Sequence, residues 1–308
     1  METGHSNNNI DEIDFKEIFK ILWQGKWIIL PITSIFSLLT ILYSLSLPNI
    51  YQSNALLSPI ETSGGINQSL GGYSGIANLA GINLSSSDND SNAAKALKKI
   101  STLSFFTENI LPNIFLPDLL AIESWDPNIN RITYDKDIYN EESKSWIMNS
   151  NNKMSAQSPQ NAYRVFLANN LVFSSDLETG FIIIGIKHQS PYIAKEWAEI
   201  VIDQLNDFYR KKDKAEAKTS ITYLNQQIAQ TNFTEIKQVI AQLIQKKTQQ
   251  LALIEAGKFY VFEYLDPPAV MERKSEPSRA MITILGTIIS GFLGVFIVIL
   301  REYTFKKI

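Results

Sequence analysis

Histidine and cysteine, the residue types most often used for nucleophilic, acid–base and metal chemistry near neutral pH, are scarce in this chain. The 308 residues include two histidines, His5 and His188, and no cysteine, which excludes disulfides, thiolate metal sites and a cysteine nucleophile. His5 lies in a polar N-terminal tail, and His188 follows an apolar segment without a serine or aspartate set suited to catalysis. We therefore predict a turn or capping role for His188. No catalytic residue, metal or cofactor is expected, and the chain is not predicted to be an enzyme.

A stretch rich in glycine, serine and asparagine, residues 63–92, is the second candidate for chemistry, because glycine-rich loops can surround phosphate groups. That chemistry needs a strand before the loop, a helix after it, and a Gly-Lys-Ser or Gly-Lys-Thr sequence at the junction. This stretch has neither the sequence nor the context. A long loop, flexible or ordered by a partner, is favoured instead.

Aromatic residues, among them Trp125, Tyr134 and Trp146, are scattered through residues 122–159, a polar segment without a clear helix or strand period. Aromatic rings can stack on sugars, but scattered aromatics more often fix an irregular segment to a core. We expect an irregular excursion whose aromatics pack on the core. Sugar binding stays open as the alternative.

The most informative spacing belongs to small residues within an uncharged apolar run. Residues 280–300 carry no charge, Arg279 precedes them, and a helix of this length crosses a hydrocarbon layer of about 30 Å. Within the run Gly286, Ser290 and Gly294 recur at every fourth position, which places them on one helix face. Such a stripe lets helix backbones approach closely, so it predicts a partner helix.

A second uncharged run, residues 27–47, is also long enough to cross a membrane. Pro31 falls in its first turn, where the missing N–H costs little. The run is too long for a secretory signal peptide, and no small-residue cleavage site follows it. Small polar side chains on one face predict pairing with the stripe of the other helix; they are Thr33, Ser37, Thr40 and Ser44.

Residues 1–26 are predicted to form a tail with an amphipathic helix. Apolar side chains recur at i, i+3, i+4 and i+7 from Phe15 to Leu22, which favours a helix lying in the headgroup region over a core helix of a soluble tail. The aromatic and basic residues that follow are typical anchors at a membrane interface; they are Trp23, Lys26 and Trp27.

The charge distribution predicts the topology. A net charge of −3 and 45% hydrophobic residues suit a folded protein with membrane segments, and no nucleic-acid partner is expected. Lys and Arg near both ends predict cytoplasmic termini; the cluster from Arg273 to Arg279 argues otherwise, but long domains translocate largely regardless of charge. The predicted segments are a cytoplasmic tail 1–26, a transmembrane helix 27–47, an extracytoplasmic domain 48–279, a transmembrane helix 280–300 and a cytoplasmic tail 301–308.

The extracytoplasmic domain is predicted to be α+β, with a membrane-proximal mixed sheet closed by its first and last strands. Both transmembrane helices would continue from that sheet. Strands are expected at 51–60, 181–186 and 260–264, and helices at 93–110 and 159–170.

A long helical hairpin is predicted after the Ser190-Pro191 pair, which supplies an N-cap and a first-turn proline. Without a break, its first arm would be about 60 Å long and its second about 33 Å. The first arm would therefore break near its lysines or project past the second. With so many polar residues, such a projection would be better stabilised by neighbouring chains.

Prolines follow the last predicted strand. Pro267, Pro268 and Pro277 have fixed φ angles and no N–H, so they are expected to end the sheet and to stiffen the passage to Arg279 and the second transmembrane helix.

The chain resembles the Wzz-type chain-length determinants, the polysaccharide co-polymerases, chiefly at its two ends. The similar segments are Ile13-Asp14-Phe15 through Leu22-Trp23, Lys26-Trp27, Pro48-Asn49-Ile50-Tyr51, Pro268, Pro277, Arg279 and Gly294. Met271, Glu276 and Ser290 depart from the family pattern, which weakens the proline spacing as a signature. The resemblance is good at 181–209 and poor at 64–159.

The resemblance implies a non-enzymatic inner-membrane protein with a periplasmic domain that forms a homo-oligomer. Such a protein sets the modal length of a surface polysaccharide, the O-antigen of lipopolysaccharide or a related polymer, together with a Wzy-type polymerase. Lipid-linked polysaccharide is a further partner that the resemblance allows. The predicted tails are too short for the fused kinase of some relatives, and a membrane sensor would lack an output domain. The main alternative is an adaptor subunit of a capsule or exopolysaccharide export complex.

Overall fold

The computed structural model describes residues 22–60, 92–147, 157–176 and 178–305, which divide into two compact units. One, the end unit, combines the chain up to Asn49 with the chain from Ser275 onwards, and the other, the central unit, runs from Ile50 to Lys274. The predicted amphipathic helix before residue 22 and almost all of the glycine-rich stretch lie outside the described residues.

The longest elements of the described chain are helices, and most of its strands are short. The α-helices are α1 (Lys26–Ser46), α2 (Asn92–Ile100), α3 (Leu103–Phe105), α4 (Leu116–Leu120), α5 (Pro159–Val165), α6 (Pro191–Gln230), α7 (Thr234–Ala256) and α8 (Arg279–Phe305). The strands are β1 (Tyr51–Pro59), β2 (Ile122–Asp126), β3 (Arg131–Tyr134), β4 (Tyr139–Asn140), β5 (Ser145–Trp146), β6 (Leu171–Ser175), β7 (Ile182–His188) and β8 (Phe262–Asp266).

A four-stranded sheet of order β6-β7-β1-β8 forms the centre of the larger unit. The first and last predicted strands are neighbours, as expected, but every pairing is antiparallel, so the predicted mixed sheet is wrong. The sequence prediction missed β6, which follows a helix without a turn residue between them and pairs with β7 across a short connection. A short connection of this kind joins antiparallel strands. A mixed sheet would also contain a parallel pair, which needs a longer crossover connection.

The core lies between this sheet and the first half of α6. Alternate residues of β7, namely Ile182, Ile184 and Ile186, are buried, as the two-residue period of a strand requires. Trp197 and Leu205 of α6 belong to the same buried cluster. The apolar period of α6 thus holds the helix on the sheet.

Helix α6 runs without a break from Pro191 to Gln230, which resolves the predicted mismatch between the two hairpin arms. Lys214 Nζ and Glu255 Oε1 are 2.8 Å apart, so the end of α7 lies beside the middle of α6. Only the second half of α6 pairs with α7, around a small cluster of Leu224, Val239, Ile240 and Leu243. The first half belongs to the sheet layer, and no break near the lysines is needed.

Two predicted helices are confirmed at their starts and modified further along. The hydroxyl of Ser158 accepts a hydrogen bond from Asn161 N, so the predicted cap of α5 is present, and the last residues to Asn170 form a π-helical turn. The predicted helix 93–110 is interrupted after Ile100, where Thr102 caps a new helical segment. A threonine hydroxyl competes for backbone donors in this way at helix ends.

The prediction of an irregular segment at 122–159 is wrong for the part of it that the structure describes. Residues 122–134 and 139–146 form two small antiparallel hairpins, β2–β3 and β4–β5. Their strands are short and mostly exposed, so they lack the clear alternation of buried and exposed residues that identifies longer strands.

Candidate functional site

The two apolar helices of the end unit pack against each other in antiparallel directions, and we call their contact the helix seam. Gly286 faces Thr40 so closely that a Cβ added to the glycine would lie 2.9 Å from Thr40 Cβ. A Cβ at Gly294 would lie 3.3 Å from Ile29 Cγ2 and 3.4 Å from Ile29 Cα. The glycines thus permit a backbone approach that a larger residue would prevent.

Polar side chains join the helices between these glycines. The hydroxyl groups of Ser37 and Thr287 are 3.0 Å apart and share a hydrogen bond. Ser290 and Ser44 are only 3% and 1% exposed, and Ser290 Oγ donates to the carbonyl of Thr287. Thr33 is half-buried on α1. All the residues predicted for helix packing lie on α1 or α8. Gly286 meets Thr40, and both were predicted; Ser37 meets Thr287, of which only Ser37 was predicted.

Several seam residues were not predicted from the sequence. Gly25 packs against Val298, and a Cβ on this glycine would overlap the valine side chain. Thr287 supplies the cross-helix hydroxyl bond described above. The spacing of Gly25, Ile29 and Thr33 continues the helical face by fours, so extending the stripe one turn before residue 27 would have found the first contact.

Arg279 closes one end of the helix seam. Its Nε donates to the carbonyl of Ser44 at 3.2 Å, and its Nη2 donates to Leu47 O at 3.4 Å and to Asn49 Oδ1 at 3.1 Å. The last carbonyls of a helix lack partners within the helix, and the negative end of its dipole favours a cation. Arg279 thus caps α1 from the first residue of α8.

The predicted interface anchors are exposed at the other end of α1. Trp23 and Trp27 are 63% and 78% exposed, and Lys26 Nζ lies 4.7 Å from the centre of the Trp23 ring. Exposed tryptophans beside a lysine at the end of an apolar helix are typical of residues at headgroup level.

The prolines lie where the last strand and the second apolar helix meet the connecting segment. β8 ends at Asp266, directly before Pro267 and Pro268, and Ser53 of β1 donates a hydrogen bond to the carbonyl of Ala269 at 2.7 Å. Pro277 precedes α8 and follows a cis peptide bond. A stiffening role of these prolines remains a prediction.

His188 has a structural position in the central unit, where it ends β7. Ser190 N donates to its Nδ1 at 3.0 Å, so Nε2 carries the ring hydrogen and donates to Asp118 O, also at 3.0 Å. Burial lowers the pKa of His188 and thereby favours the neutral ring. Ser190 precedes α6 as predicted, but its side chain does not cap the helix.

A pair of cysteines should test the helix seam directly, because the chain contains none of its own. The change is Ser37→Cys with Thr287→Cys, at the two hydroxyls that lie 3.0 Å apart. Mild oxidation is expected to join them within one chain, since their side chains meet at a distance that a disulfide can bridge. Peptide mass spectrometry of the oxidised monomer would detect the link.

The matched control is Ser37→Cys with Gly291→Cys. Gly291 is on the same helix, and a Cβ there would have open space around it among the described residues. This pair should stay reduced within a chain. Equal cross-linking of both pairs would contradict the seam.

Comparison with known proteins gives a family match for the N-terminal part of the chain. Residues 11–101 match the Wzz family model, described as chain length determinant protein. No curated protein matches the chain by sequence.

Among solved structures, the chain is similar to a full-length bacterial polysaccharide co-polymerase, with 15% identity, a TM-score of 0.38 and coverage of 96% of this chain and 99% of that one. It is also similar to a fragment of WzzB, a polysaccharide co-polymerase from Salmonella Typhimurium, with 14% identity, a TM-score of 0.30 and coverage of 74% and 100%.

The family match includes α1, β1 and the start of the central unit. It covers the N-terminal segments on which the sequence resemblance rests, from Ile13 to Tyr51. The matched segment, residues 11–101, is therefore similar to the Wzz-type chain length determinants.

Proposed function

We propose that the protein regulates the modal chain length of a surface polysaccharide, the O-antigen of lipopolysaccharide or a related polymer. The observation that carries this proposal is the match of residues 11–101 to the chain length determinant family. The structure adds support in the form of two helices that are long and apolar enough to cross a membrane, Lys26–Ser46 and Arg279–Glu302. A protein that acts on a polymer during its assembly at the membrane would need such an anchor.

The proposed topology places residues 48–279 in the periplasm and residues 1–26 and 301–308 in the cytoplasm, with the protein in the bacterial inner membrane. Basic residues in the two tails support this orientation. In this arrangement the helix seam lies within the bilayer. There its small residues and its shared hydroxyl bond favour a closely packed helix pair.

The proposed mode of action is regulatory, with no catalytic residues assigned. Members of this family regulate polymer length, and His188 of this chain is held by Asp118 O and Ser190 N in a structural role. The proposed partners are further copies of the chain, a Wzy-type polymerase that forms the glycosidic bonds, and lipid-linked polysaccharide.

Deleting the gene should test the function by its effect on the polymer. We expect loss of the modal band of lipopolysaccharide or a related polymer on a gel, with polymer still present at the cell surface, because polymerisation would continue without length control. Restoring the gene should restore the band.

Two other results would argue against length control. An unchanged length distribution in the deletion strain would contradict the proposal. Complete loss of surface polymer would indicate the adaptor subunit of an export complex instead.

A further inference from the structure

A groove opens beside the two small hairpins of the central unit, and we call it the hairpin groove. Its cavity volume is about 640 Å³, within the range of about 300–1,000 Å³ that small-ligand sites occupy. The side chains that carry the argument are Arg131, Tyr134, Lys136, Tyr139, Glu141 and Glu142. The role proposed for the protein so far does not use these residues.

Two tyrosines line the hairpin groove and are held in place by ring contacts; Tyr134 is half-buried and Tyr139 is almost fully buried. Tyr139 is 4% exposed, and its ring centre lies 5.4 Å from that of Tyr134 and 5.3 Å from that of Trp146, in edge-on geometry. Phe115 contacts both tyrosines from another side. Interlocked aromatic rings of this kind have little freedom to reorient, so their positions are set before a ligand binds.

A buried carboxyl group fixes Tyr134 further. The hydroxyl of Tyr134 donates to Asp118 Oδ1 at 2.6 Å, and the carbonyl of Asp118 accepts from the buried His188. Burial raises the pKa of the Asp118 carboxyl. These hydrogen bonds connect Tyr134, which lines the groove, to His188 at the end of strand β7.

The rim of the hairpin groove is polar and electrically balanced. Arg131 and Lys136 face Glu141 and Glu142, and Arg131 Nη2 lies 3.4 Å from both carboxylate oxygens of Glu141. All four rim side chains are exposed. Two positive and two negative groups attract neither a polyanion nor a polycation strongly, yet they offer many hydrogen-bond donors and acceptors.

The lining tyrosines and the charge-balanced rim together indicate the chemical class of the ligand. A ring with apolar C–H faces and hydroxyl groups at its edge would pack one face on the accessible part of Tyr134, which the buried Tyr139 supports, and would bond to the charged rim through its hydroxyls. We propose that the hairpin groove is a binding site for a neutral segment of carbohydrate. The site deepens the proposed function, on which it rests for its biological ligand, the surface polysaccharide.

The test uses the full-length protein in lipid nanodiscs and two probes. One is the neutral polysaccharide fraction released by mild acid from the envelope of the source strain, and the other is heparin, a polyanion. The groove variant is Lys136→Ala with Glu142→Ala, which removes two exposed rim groups and leaves the net charge unchanged. Binding is measured by calorimetric titration, and circular dichroism checks that the variant is folded.

The control variant is Glu123→Ala with Lys237→Ala, two residues of opposite charge that do not line the groove. We expect the wild type and the control to bind the neutral polysaccharide, and the groove variant to bind it with an affinity lower by about tenfold or more, because two hydrogen-bonding groups are lost. Heparin should bind weakly and equally to all three.

Absence of binding by the wild type, or equal binding by all three proteins, would overturn the site. Preferential binding of heparin at the groove, lost in the groove variant, would assign it to anions and overturn it as well. Chain length in the complemented deletion strain separates this proposal from the proposed function. If the wild-type gene restores the modal band while the purified protein binds no polysaccharide, only the hairpin groove is rejected.

Discussion

Replacing Gly286 and Gly294 together with leucine is expected to force α1 and α8 apart and to abolish the modal chain length. The added side chains would enter space now occupied by Thr40 and Ile29. Transmembrane helices associate mainly through close packing and a few hydrogen bonds, so loss of the glycine contacts removes the main basis of their pairing. Gel analysis of the polymer from a strain carrying the double variant gives the first measurement.

A second measurement does not depend on function. In the Ser37→Cys, Thr287→Cys background, the double leucine variant should form its intrachain disulfide slower by about tenfold, which corresponds to a packing loss of roughly 1.4 kcal/mol. Membrane fractionation should show that the protein still inserts, because leucine is apolar.

Gly291→Leu is the matched control for both measurements. It makes the same chemical change on the same helix, at a position with open space around it among the described residues. Its polymer pattern and its disulfide rate should stay at the wild-type level. Wild-type chain length from a normally inserted Gly286→Leu, Gly294→Leu double variant would count against the helix seam as a functional element.

Replacing Asn206 with leucine is expected to cause the largest loss of stability in the central unit. Asn206 is 5% exposed on α6, and its Oδ1 accepts hydrogen bonds from the N–H groups of Tyr260, Val261 and Phe262 at 3.3, 2.8 and 3.0 Å. Its Nδ2 donates to Phe262 O at 3.2 Å. One side chain thus holds the chain that leads from the helical hairpin into β8.

Leucine would remove a shared acceptor from buried donors. Each buried polar group left without a partner costs about 1–3 kcal/mol, so the combined loss is expected to be about 3 kcal/mol or more. For a unit of this size the midpoint of thermal unfolding falls by about 2–4 °C per kcal/mol, so a decrease of roughly 6–12 °C is expected. Tryptophan fluorescence of the detergent-solubilised protein would follow the transition.

Asn225→Leu is the control for this experiment, since Asn225 is exposed on the same helix. It should change the stability by no more than a surface substitution does, about 0.5 kcal/mol. A midpoint for Asn206→Leu that matches this control would show that the hydrogen bonds of Asn206 are not important for stability.

Local sequence patterns predicted the helical parts of the fold well. The two apolar helices begin and end within a few residues of the predicted limits, and Pro191 begins α6 as predicted. Helices depend on contacts between residues three or four positions apart and on capping at their ends, and both are visible in a single sequence.

Strand pairing was predicted less well. β6 and the hairpins β2–β3 and β4–β5 are stabilised by neighbouring strands and by aromatic contacts such as that between Tyr139 and Trp146. Short strands with exposed faces show no reliable period. The same aromatics were assigned to an irregular segment because their clustering depends on these pairings.

The candidate sites, too, were predicted only in part from the sequence. Residue types and short spacings were enough to predict the two apolar helices, their small-residue faces and the position of Trp23 and Trp27 near the start of the first of them. Packing between distant segments was needed to establish that Gly286 faces Thr40, that Arg279 caps the end of α1, and that two tyrosines line a groove. Those contacts join residues far apart in the chain. Their partners are set by how whole helices and strands pack, which local spacing does not specify.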